Sequence, residues 1–314
     1  MEKTIKLNDA REARSLFGTH DENLKAIDRE FSVMTSARGD VLKIKGDEAN
    51  CGSAVRLVEE LLLTIRSGGT VKKHEVLYAV KVIKEGRTGD VHSIYLDRIE
   101  VSSKRQYIIP KSVGQKEYVD AIRAHDIVFC IGPAGTGKTY LAMSMAVNAL
   151  KKQLVSRIIL TRPAVEAGES LGYLPGDLYA KVSPYLRPLY DALYDMMEVD
   201  KIKDFIERGI IEVVPLAYMR GRTLNDAFII MDEAQNSTAE QMKMFLTRLG
   251  FDSKAVITGD ITQSDLPSNK TSGLMQVRSI LKGVEGIKFI NLKGEDVVRH
   301  ELVMDIIKAY ENAK

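Results

Sequence analysis

The sequence predicts an α/β protein with a mainly parallel sheet, preceded by a small α+β domain. In residues 112–314, apolar segments of strand length alternate with helical patterns, as expected for a parallel sheet covered by helices on both faces. A glycine-rich loop in this region lies between a continuous apolar run and a helical stretch. Residues 1–66 instead contain two short helices, two strand-like segments and a longer helix. Residues 67–111 contain a helix and a basic hairpin, and we expect them to connect the two domains.

Composition indicates a globular protein and excludes several classes of site. The chain has 314 residues, of which 45% are hydrophobic and 28% are charged. Its apolar runs are shorter than the roughly 20 residues that a membrane-spanning helix needs, and residues 1–6 lack the apolar core of a signal peptide. The two cysteines, Cys51 and Cys130, are too few for a disulfide framework, and the sequence has no His/Cys cluster that suggests zinc. We therefore expect a cytoplasmic protein without a structural zinc site.

The formal net charge of +2 is unevenly distributed along the chain. Residues 67–111 carry nine Lys/Arg and five Asp/Glu, whereas residues 1–66 and 112–314 each carry one more acidic than basic residue. This local excess is typical of a solvated linker and is also compatible with a nucleic-acid contact.

The glycine-rich loop fits the pattern G-x-x-x-x-G-K-[ST], the Walker A motif. It consists of Gly132, Pro133, Ala134, Gly135, Thr136, Gly137, Lys138 and Thr139. A buried strand at residues 127–131 precedes the loop and a helix at residues 140–152 follows it, so backbone N–H groups and the helix N-terminus can bind phosphate. Lys138 would reach the β- and γ-phosphates, and the Thr139 hydroxyl would bind Mg²⁺. A dinucleotide-binding fingerprint is excluded because Tyr140 stands where its third glycine is required.

A second motif supplies acidic groups. An apolar strand at residues 228–231 ends in Asp232-Glu233, as in a Walker B motif. Because ligands of parallel sheets bind at the carboxyl ends of the strands, we expect Asp232 to hold Mg²⁺ and Glu233 to orient and polarise the attacking water. The alternative is an ordinary acidic pair on the surface, which the Walker A motif in the same sheet disfavours. Residues 237–240 fit a capping box that opens the next helix.

Two glutamines are candidates for contacts with the nucleotide. Gln263 follows the strand predicted at residues 255–258, in the segment Gly259-Asp260-x-x-Gln263, where it can sense the γ-phosphate. Gln115 precedes the Walker A strand by a short helix, where its amide can bond both edges of adenine and favour ATP over GTP. On its own, either glutamine is also compatible with a surface position.

The order of elements in residues 1–66 resembles that of a KH domain, in which a G-x-x-G loop clamps the nucleic-acid backbone. Helices are expected at residues 8–16, 22–29 and 49–66, and strands at residues 31–35 and 41–45. The loop position reads Gly18-Thr19-His20-Asp21, and the aspartate in place of the second glycine would repel phosphate. Two roles stay open: a KH-like module that docks or packs without gripping RNA, and one that binds RNA through this loop.

From residue 109 to residue 310 the chain resembles the PhoH family of P-loop ATPases. The resemblance lies in residues 110–115, 132–139, 161–169, 184–191, 219–224, 232–236 and 296–300. These motifs are similar to those of the first motor domain of superfamily-one helicases, which implies a RecA-like P-loop fold. The resemblance also implies hydrolysis of ATP with Mg²⁺, a cytoplasmic location and a role in RNA metabolism.

The sequence contains one P-loop and one Walker B motif, without an internal repeat that would supply a second motor domain. A strand-moving enzyme would need neighbouring subunits, so we expect a homo-oligomer, as a ring, with shared sites. An arginine supplied in trans would stabilise the transition state and raise the rate about a thousandfold or more. The candidates are Arg220, Arg222, Arg248 and Arg299. We favour Arg248 because its helix begins just past the Walker B motif.

Residues 166–169 and 172–177 form a glycine-rich loop after the second strand of the sheet. Helicases contact nucleic acid near this position, which makes Arg162 and Tyr173 candidates for such a contact. An ordinary surface loop is the alternative.

Three functions are compatible with these motifs. The first is a helicase-like ATPase that acts on RNA, and the second is an ATP-switched scaffold that docks a nuclease or a ribosome-assembly partner without unwinding RNA. The third, a small-molecule kinase, is disfavoured because Glu233 is expected to position water, whereas a kinase needs a pocket for its acceptor. Stimulation of ATP turnover by RNA separates the first function from the second.

Overall fold

The computed structural model describes residues 1–66, 71, 73–84, 97–102, 107–163, 178–267, 271–298, 302, 303, 306 and 309. The chain divides into two compact units. One comprises Met1–Arg98 and Ile109–Val113, and the other comprises Ile99–Ile108 and Gly114–Lys314. The segment expected to connect the domains, residues 67–111, is therefore shared between the two units.

The first unit is a small α+β domain. Its elements are β1 (Glu2–Lys6), α1 (Ala10–Phe17), α2 (Glu22–Phe31), β2 (Met34–Arg38), β3 (Val41–Lys45), α3 (Glu48–Arg66) and α4 (Lys73–Lys84). The three strands form an antiparallel sheet in the order β1-β3-β2. Leu42 and Ile44 of β3, Leu57 of α3, and Val76 and Val80 of α4 belong to one buried core cluster. Helix α4 thus completes the core of this unit.

Two features of the first unit differ from the sequence prediction. The pattern of β1 does not indicate a strand because Ile5 is its one apolar residue; the strand forms by pairing with β3, where Ile5 lies opposite Leu42. The strand predicted at residues 31–35 is misplaced. Phe31 ends α2 in the core, Ser32 takes a left-handed φ of 53°, and β2 begins only at Met34. An apolar residue at a helix end and one in a buried strand give the same local pattern.

The turn between α1 and α2 contains the predicted G-x-x-G position. Gly18, His20 and Asp21 have left-handed φ angles of 74°, 53° and 58°. The buried Asn23 side chain donates to the carbonyl oxygen of Leu16 at 3.0 Å and so ties the two helices together across the turn. A contact of this loop with RNA stays a prediction.

The second unit is an α/β domain. Its strands are β4 (Ile99–Glu100), β5 (Tyr107–Ile108), β6 (Ile127–Ile131), β7 (Arg157–Arg162), β8 (Ile211–Pro215), β9 (Ala227–Met231), β10 (Lys254–Gly259) and β11 (Ile287–Asn291). Its helices are α5 (Val113–Ala124), α6 (Lys138–Lys151), α7 (Leu178–Met196), α8 (Val199–Glu207), α9 (Ala239–Leu246) and α10 (Gly273–Ile280). Strands β6 to β11 form one parallel sheet in the order β11-β6-β10-β9-β7-β8, while β4 and β5 form a separate antiparallel pair. The predicted fold class, a RecA-like P-loop fold after a small α+β domain, is confirmed.

Alternate residues of the central strands face two core clusters. Val128 and Cys130 of β6 belong to one cluster, and Phe129 and Ile131 belong to the other. Phe129 also stacks on Phe289 of β11, with ring centroids 4.6 Å apart. Because both faces are apolar, chemistry is left to the polar residues that follow the strands, and in a parallel sheet these all lie at one edge.

Cys51 and Cys130 are both buried and form no disulfide. In the part of the chain that the structure describes, no helix combines the length and the apolar composition needed to cross a membrane.

Candidate active site

The glycine loop passes closely between neighbouring strands as it leads from β6 into α6. Gly135 and Gly137 have φ angles of 83° and 78°, in the left-handed region that favours glycine. Gly132 has a different reason: a Cβ atom at this position would lie 2.6 Å from the carbonyl oxygen of Leu292. The Thr136 hydroxyl donates to the carbonyl oxygen of Pro133 at 2.8 Å, which tightens the turn. The loop therefore needs its glycines for its backbone geometry.

Lys138, the first residue of α6, folds back over the loop. Its Nζ donates to the carbonyl oxygens of Gly132 at 2.6 Å and Pro133 at 2.9 Å. Burial lowers the pKa of the Lys138 ammonium below its ordinary value of 10.5, although the nearby Cys130 and the carboxylates of the site oppose this effect. A partly buried ammonium that is held by two carbonyl oxygens is well suited to exchange them for anionic phosphate oxygens.

Asp232 is buried and follows β9 directly. Its Oδ1 accepts hydrogen bonds from the Thr139 hydroxyl at 2.6 Å and from the Thr258 hydroxyl at 2.7 Å. One carboxylate oxygen thus joins the start of α6 to the end of β10. The role of Thr258 was not predicted, since a threonine inside an apolar strand reads as an ordinary core residue.

The predicted metal ligands, Thr139 and Asp232, fit a magnesium ion. Mg²⁺ prefers oxygen ligands and is usually bound by one or two carboxylates together with phosphates. A hydroxyl and a carboxylate oxygen that already converge at 2.6 Å provide two such ligands. Among the residues that the structure describes, no group of three or more His, Cys, Asp and Glu side chains surrounds a metal position. This donor set suits an ion shared with phosphate better than one enclosed by protein alone.

Glu233 sits at a strained turn beyond the strand, with φ 53° and ψ 41°. Its two carboxylate oxygens have different partners: Arg162 Nη2 lies 3.6 Å from Oε1, and Gln235 Nε2 donates to Oε2 at 2.5 Å. The left-handed backbone turns Glu233 toward the cleft beside the loop, which it lines together with Lys138.

Gln235 links the Walker B segment to the segment after β10. Its side chain is 1% exposed. Besides its bond to Glu233, its Nε2 donates to the carbonyl oxygen of Gln263 at 3.2 Å, and its Oε1 accepts from the backbone N–H of Asp260 at 3.0 Å. The sequence places Gln235 in the Asp232-Glu233-Ala234-Gln235 motif but does not reveal this bridge, because residues 260–263 are distant along the chain.

A cleft of about 270 Å³ lies at the carboxyl edge of the sheet. It is lined by Ala134, Gly135, Gly137, Lys138, Thr139, Tyr140, Asp232, Glu233, Gly259, Asp260 and Gln263. The structure therefore brings together the predicted phosphate-binding loop, both predicted metal ligands, the predicted catalytic glutamate and Gln263.

Gln115 lies beneath the loop. It is 4% exposed, and its Nε2 donates to the carbonyl oxygen of Thr136 at 3.0 Å. The same nitrogen lies 3.3 Å from the position of a Cβ on Gly137. Gln115 thus supports the loop from below, and its contact with adenine stays a prediction.

Arg248 lies away from the cleft. Its guanidinium donates to the carbonyl oxygens of Met244 and Arg222 and to the hydroxyl of Thr247, at 3.1 to 3.2 Å. Arg222 in turn pairs with Glu212 at 2.7 Å. Within one chain both arginines therefore have structural partners, and the trans role expected of Arg248 stays a prediction.

Several sequence candidates lie outside the described residues. They are residues 166–169 and 172–177 with Tyr173, and the pair Arg299-His300.

Comparisons with known proteins agree with these motifs. The profile of the family described as PhoH-like protein matches residues 107–311. The PhoH-like protein of Bacillus subtilis (strain 168) is 53% identical over 306 residues, which cover 98% of this chain and 96% of the relative. The PhoH-like protein of Synechocystis sp. (strain ATCC 27184 / PCC 6803 / Kazusa) is 46% identical over 99% of this chain and 95% of its own length. Protein PhoH of Escherichia coli (strain K12) is 42% identical over 205 residues, or 65% of this chain and 58% of its own.

Among solved structures, the flagellar accessory protein FlaH from Methanocaldococcus jannaschii aligns with 68% of this chain and 76% of its own. Its identity of 12% and TM-score of 0.27 are too low to support any argument. The family profile and the relatives that align over nearly the whole chain show that this chain belongs to the PhoH-like protein family.

Proposed function

We propose that this protein hydrolyses ATP at the carboxyl edge of its parallel sheet and acts as a helicase-like ATPase in RNA metabolism. The observation that carries the proposal is that a single cleft is lined by Lys138, Thr139, Asp232 and Glu233. These residues are the groups that phosphate binding, metal binding and water activation require. Membership of the PhoH-like family supports a P-loop ATPase-type protein.

Binding of the triphosphate is assigned to the loop and to Lys138. The phosphate oxygens would accept the hydrogen bonds that Lys138 Nζ donates here to the carbonyl oxygens of Gly132 and Pro133. Backbone N–H groups of the loop and of the first turn of α6 add partial positive charge. Mg²⁺, when bound, neutralises charge on the β- and γ-phosphates, and Thr139 and Asp232 are the residues that would hold it.

Hydrolysis is assigned to Glu233. It accepts a proton from water while the water oxygen attacks the γ-phosphorus, and the bond from that phosphorus to the β–γ bridging oxygen breaks. ADP and inorganic phosphate are the products. Gln263, in the same cleft, is placed to sense the γ-phosphate, and its backbone is joined to Glu233 through Gln235.

Action on RNA and assembly into a homo-oligomeric ring are further parts of the proposal. The similarity of the motifs to helicase motor motifs supports both. Since Arg248 and Arg222 are engaged within their own chain, Arg220, which is exposed, is a further candidate to act in trans.

The test is ATPase activity with and without single-stranded RNA, measured beside the mass in solution. The proposal predicts magnesium-dependent turnover that RNA increases, from a particle of several subunits. Turnover that RNA leaves unchanged would favour the ATP-switched scaffold that docks a protein partner. Absence of turnover in both conditions would overturn the proposed activity.

A further inference from the structure

Asp260 is a buried carboxylate to which the proposed function assigns no role. It follows β10, is 5% exposed and lines the cleft at the carboxyl edge of the sheet. Its Oδ1 accepts hydrogen bonds from the backbone N–H of Thr262 at 2.9 Å and from the Thr262 hydroxyl at 2.7 Å. Its Oδ2 is buried too, but has no hydrogen-bond partner among the described residues. One oxygen of Asp260 thus fixes the turn after β10, and the other lacks a donor.

The backbone at Asp260 is held between the two motifs of the site. The carbonyl oxygen of Gly259 accepts from the backbone N–H of Gly132 at 3.1 Å, and the N–H of Asp260 donates to Oε1 of the buried Gln235 at 3.0 Å. Strand β10 lies between β6, which leads into the Walker A loop, and β9, which leads to Asp232. Asp260 is therefore fixed beside the phosphate-binding loop and beside the strand that carries a proposed metal ligand.

The charge of Asp260 acts on the group expected to bind phosphate. Burial lowers the pKa of Lys138, and among the carboxylates that oppose this effect Asp260 acts most strongly, ahead of Glu233 and Asp232. The same negative charge repels a triphosphate on the loop unless a cation accompanies it. A buried carboxylate oxygen without a donor also costs free energy. The position of Asp260 therefore suits a ligand that brings both a cation and hydrogen-bond donors.

A water bound to Mg²⁺ has this chemistry. Phosphate oxygens only accept hydrogen bonds at neutral pH, so they cannot serve Oδ2. Mg²⁺ usually keeps several waters when it binds through one or two protein ligands and phosphates, and Thr139 and Asp232 are the two protein ligands proposed here. Protein groups that accept from the ligands of a metal orient them and raise metal affinity. The attacking water is the other possible donor, and the test below separates the two.

We propose that Asp260 is a positioning residue for the metal. When Lys138 exchanges the carbonyl oxygens of Gly132 and Pro133 for phosphate, Oδ2 of Asp260 accepts a hydrogen bond from a water bound to Mg²⁺. This inference rests on the proposed function, which brings the nucleotide and the ion to the cleft. It implies that each ligand strengthens binding of the other through Asp260, because the carboxylate opposes the phosphates alone and favours them together with the ion.

The test is equilibrium binding of ADP and of a non-hydrolysable ATP analogue to the wild type and to Asp260→Asn, with EDTA and with excess Mg²⁺. Asparagine keeps a carbonyl oxygen for Thr262 but lacks the charge and the second acceptor oxygen. With Mg²⁺ we expect the affinity of the variant to fall about tenfold, as for other groups that orient metal ligands. With EDTA its affinity should equal or exceed that of the wild type, because a negative charge beside the phosphates is gone.

Two control variants and a melting curve exclude simpler causes. Asp252→Asn makes the same change at an exposed aspartate two residues before β10, whose left-handed φ of 57° asparagine also tolerates. Thr262→Val removes the hydroxyl that donates to Oδ1 but leaves the backbone donor at 2.9 Å. We expect both controls to bind as the wild type does with and without Mg²⁺. The melting temperature of Asp260→Asn without ligand should not fall, since a buried charge is removed.

Several results would overturn the inference. Equal losses of affinity with EDTA and with Mg²⁺, or the same pattern in Thr262→Val, would assign the effect to the turn. Affinities of Asp260→Asn equal to those of the wild type in both conditions would leave Asp260 only its hydrogen bonds to Thr262. A kcat that falls while binding with Mg²⁺ stays at the wild-type level is the result for a residue that acts on the attacking water.

Failure of the proposed function has a different signature. A wild-type protein that binds no nucleotide, or that binds it without any turnover, contradicts the proposed function whatever the Asp260 variant does. A wild type with magnesium-dependent turnover whose Asp260→Asn variant keeps the wild-type response to Mg²⁺ leaves the proposed function intact and removes only the role of Asp260.

Discussion

Thr139 donates its hydroxyl to Oδ1 of Asp232 at 2.6 Å. This hydrogen bond joins the first turn of the helix after the Walker A loop to the end of the Walker B strand. The two residues are 93 positions apart in the sequence. Both oxygens are of the type that Mg²⁺ binds. Their convergence supports the proposed metal position, and the same carboxylate oxygen also accepts a hydrogen bond from Thr258.

Thr258→Val tests whether that second hydroxyl orients Asp232. Valine keeps the shape of the buried side chain but removes the donor at 2.7 Å. Partners that orient a metal ligand commonly affect metal affinity by one to two orders of magnitude, so we expect the Mg²⁺ concentration for half-maximal ATPase to rise about tenfold. The measurement is a magnesium titration of turnover.

Thr161→Val is the matched control. Thr161 is also a buried strand threonine, but its hydroxyl has no hydrogen-bond partner among the described residues. Its replacement by a methyl group removes a polar atom that gains nothing from burial, and the magnesium requirement should stay at the wild-type value. Equal shifts in both variants would contradict the role given to Thr258.

We expect nucleotide affinity to depend on pH through Lys138. Its pKa is lowered from 10.5 by burial, and phosphate favours the charged ammonium, so affinity should fall as pH rises through the lowered pKa. Binding in the alkaline range below 10.5 should take up protons, which calorimetry in buffers of different ionisation enthalpy detects.

The lowered pKa of Lys138 also affects the stability of the fold. Because its pKa is lower in the folded than in the unfolded protein, the charged form destabilises the fold at neutral pH, and this cost begins to fall at the lowered pKa and is gone above 10.5. Lys138→Met should therefore lose nucleotide binding without a lower melting temperature at pH 7. Proton release on binding, or a marked drop in melting temperature of the variant, would contradict this assignment.

Gly132→Ala should destabilise the second unit. The added Cβ would meet the Leu292 carbonyl oxygen at 2.6 Å, and relief of such overpacking costs about 1–3 kcal/mol. Gly52→Ala, in helix α3 with no atom within 4 Å of the new Cβ, should stabilise by about 0.5–1 kcal/mol. Denaturant unfolding of both variants measures these changes, and a neutral Gly132→Ala would show that the loop has more room than the structure gives it.

Gln115→Ala separates support of the loop from recognition of the base. Its buried amide donates to the carbonyl oxygen of Thr136, and the loss of one such hydrogen bond corresponds to a change of about two- to tenfold in a binding constant. We expect the affinities for ATP and GTP both to fall within that range in equilibrium binding. A variant that loses ATP but binds GTP like the wild type would contradict a role in holding the loop.

The parts of the site that could be predicted from the sequence are those whose residues are close together in it. Residues 132–139 contain both the glycines and the groups proposed to bind phosphate and metal, and the apolar strand before Asp232 places the carboxylate at a known edge of the sheet. The position of the capping box is wrong by one residue. The sequence predicts it for residues 237–240, but the structure forms it between Thr238 and Gln241. Shifting such a pattern by one residue changes the sequence signal very little.

Contacts between distant segments could not be predicted. The bridge from Gln235 to residues 260 and 263 and the pairing of Arg162 with Glu233 depend on which strands become neighbours. The partners of Arg248 likewise come from the chain that folds back around it. The sequence can indicate that such a side chain is a candidate, but its hydrogen-bond or ion-pair partner depends on how the chain folds.

The central claim is that Glu233 activates water in the cleft, and Glu233→Gln tests it most directly. The matched control is Glu207→Gln, which changes an exposed glutamate at the end of α8. With ATP binding and phosphate release measured on the same samples, Glu233→Gln should bind ATP as the wild type does while turnover falls by about 10²- to 10⁴-fold, and Glu207→Gln should match the wild type in both. Normal turnover in Glu233→Gln would contradict the claim.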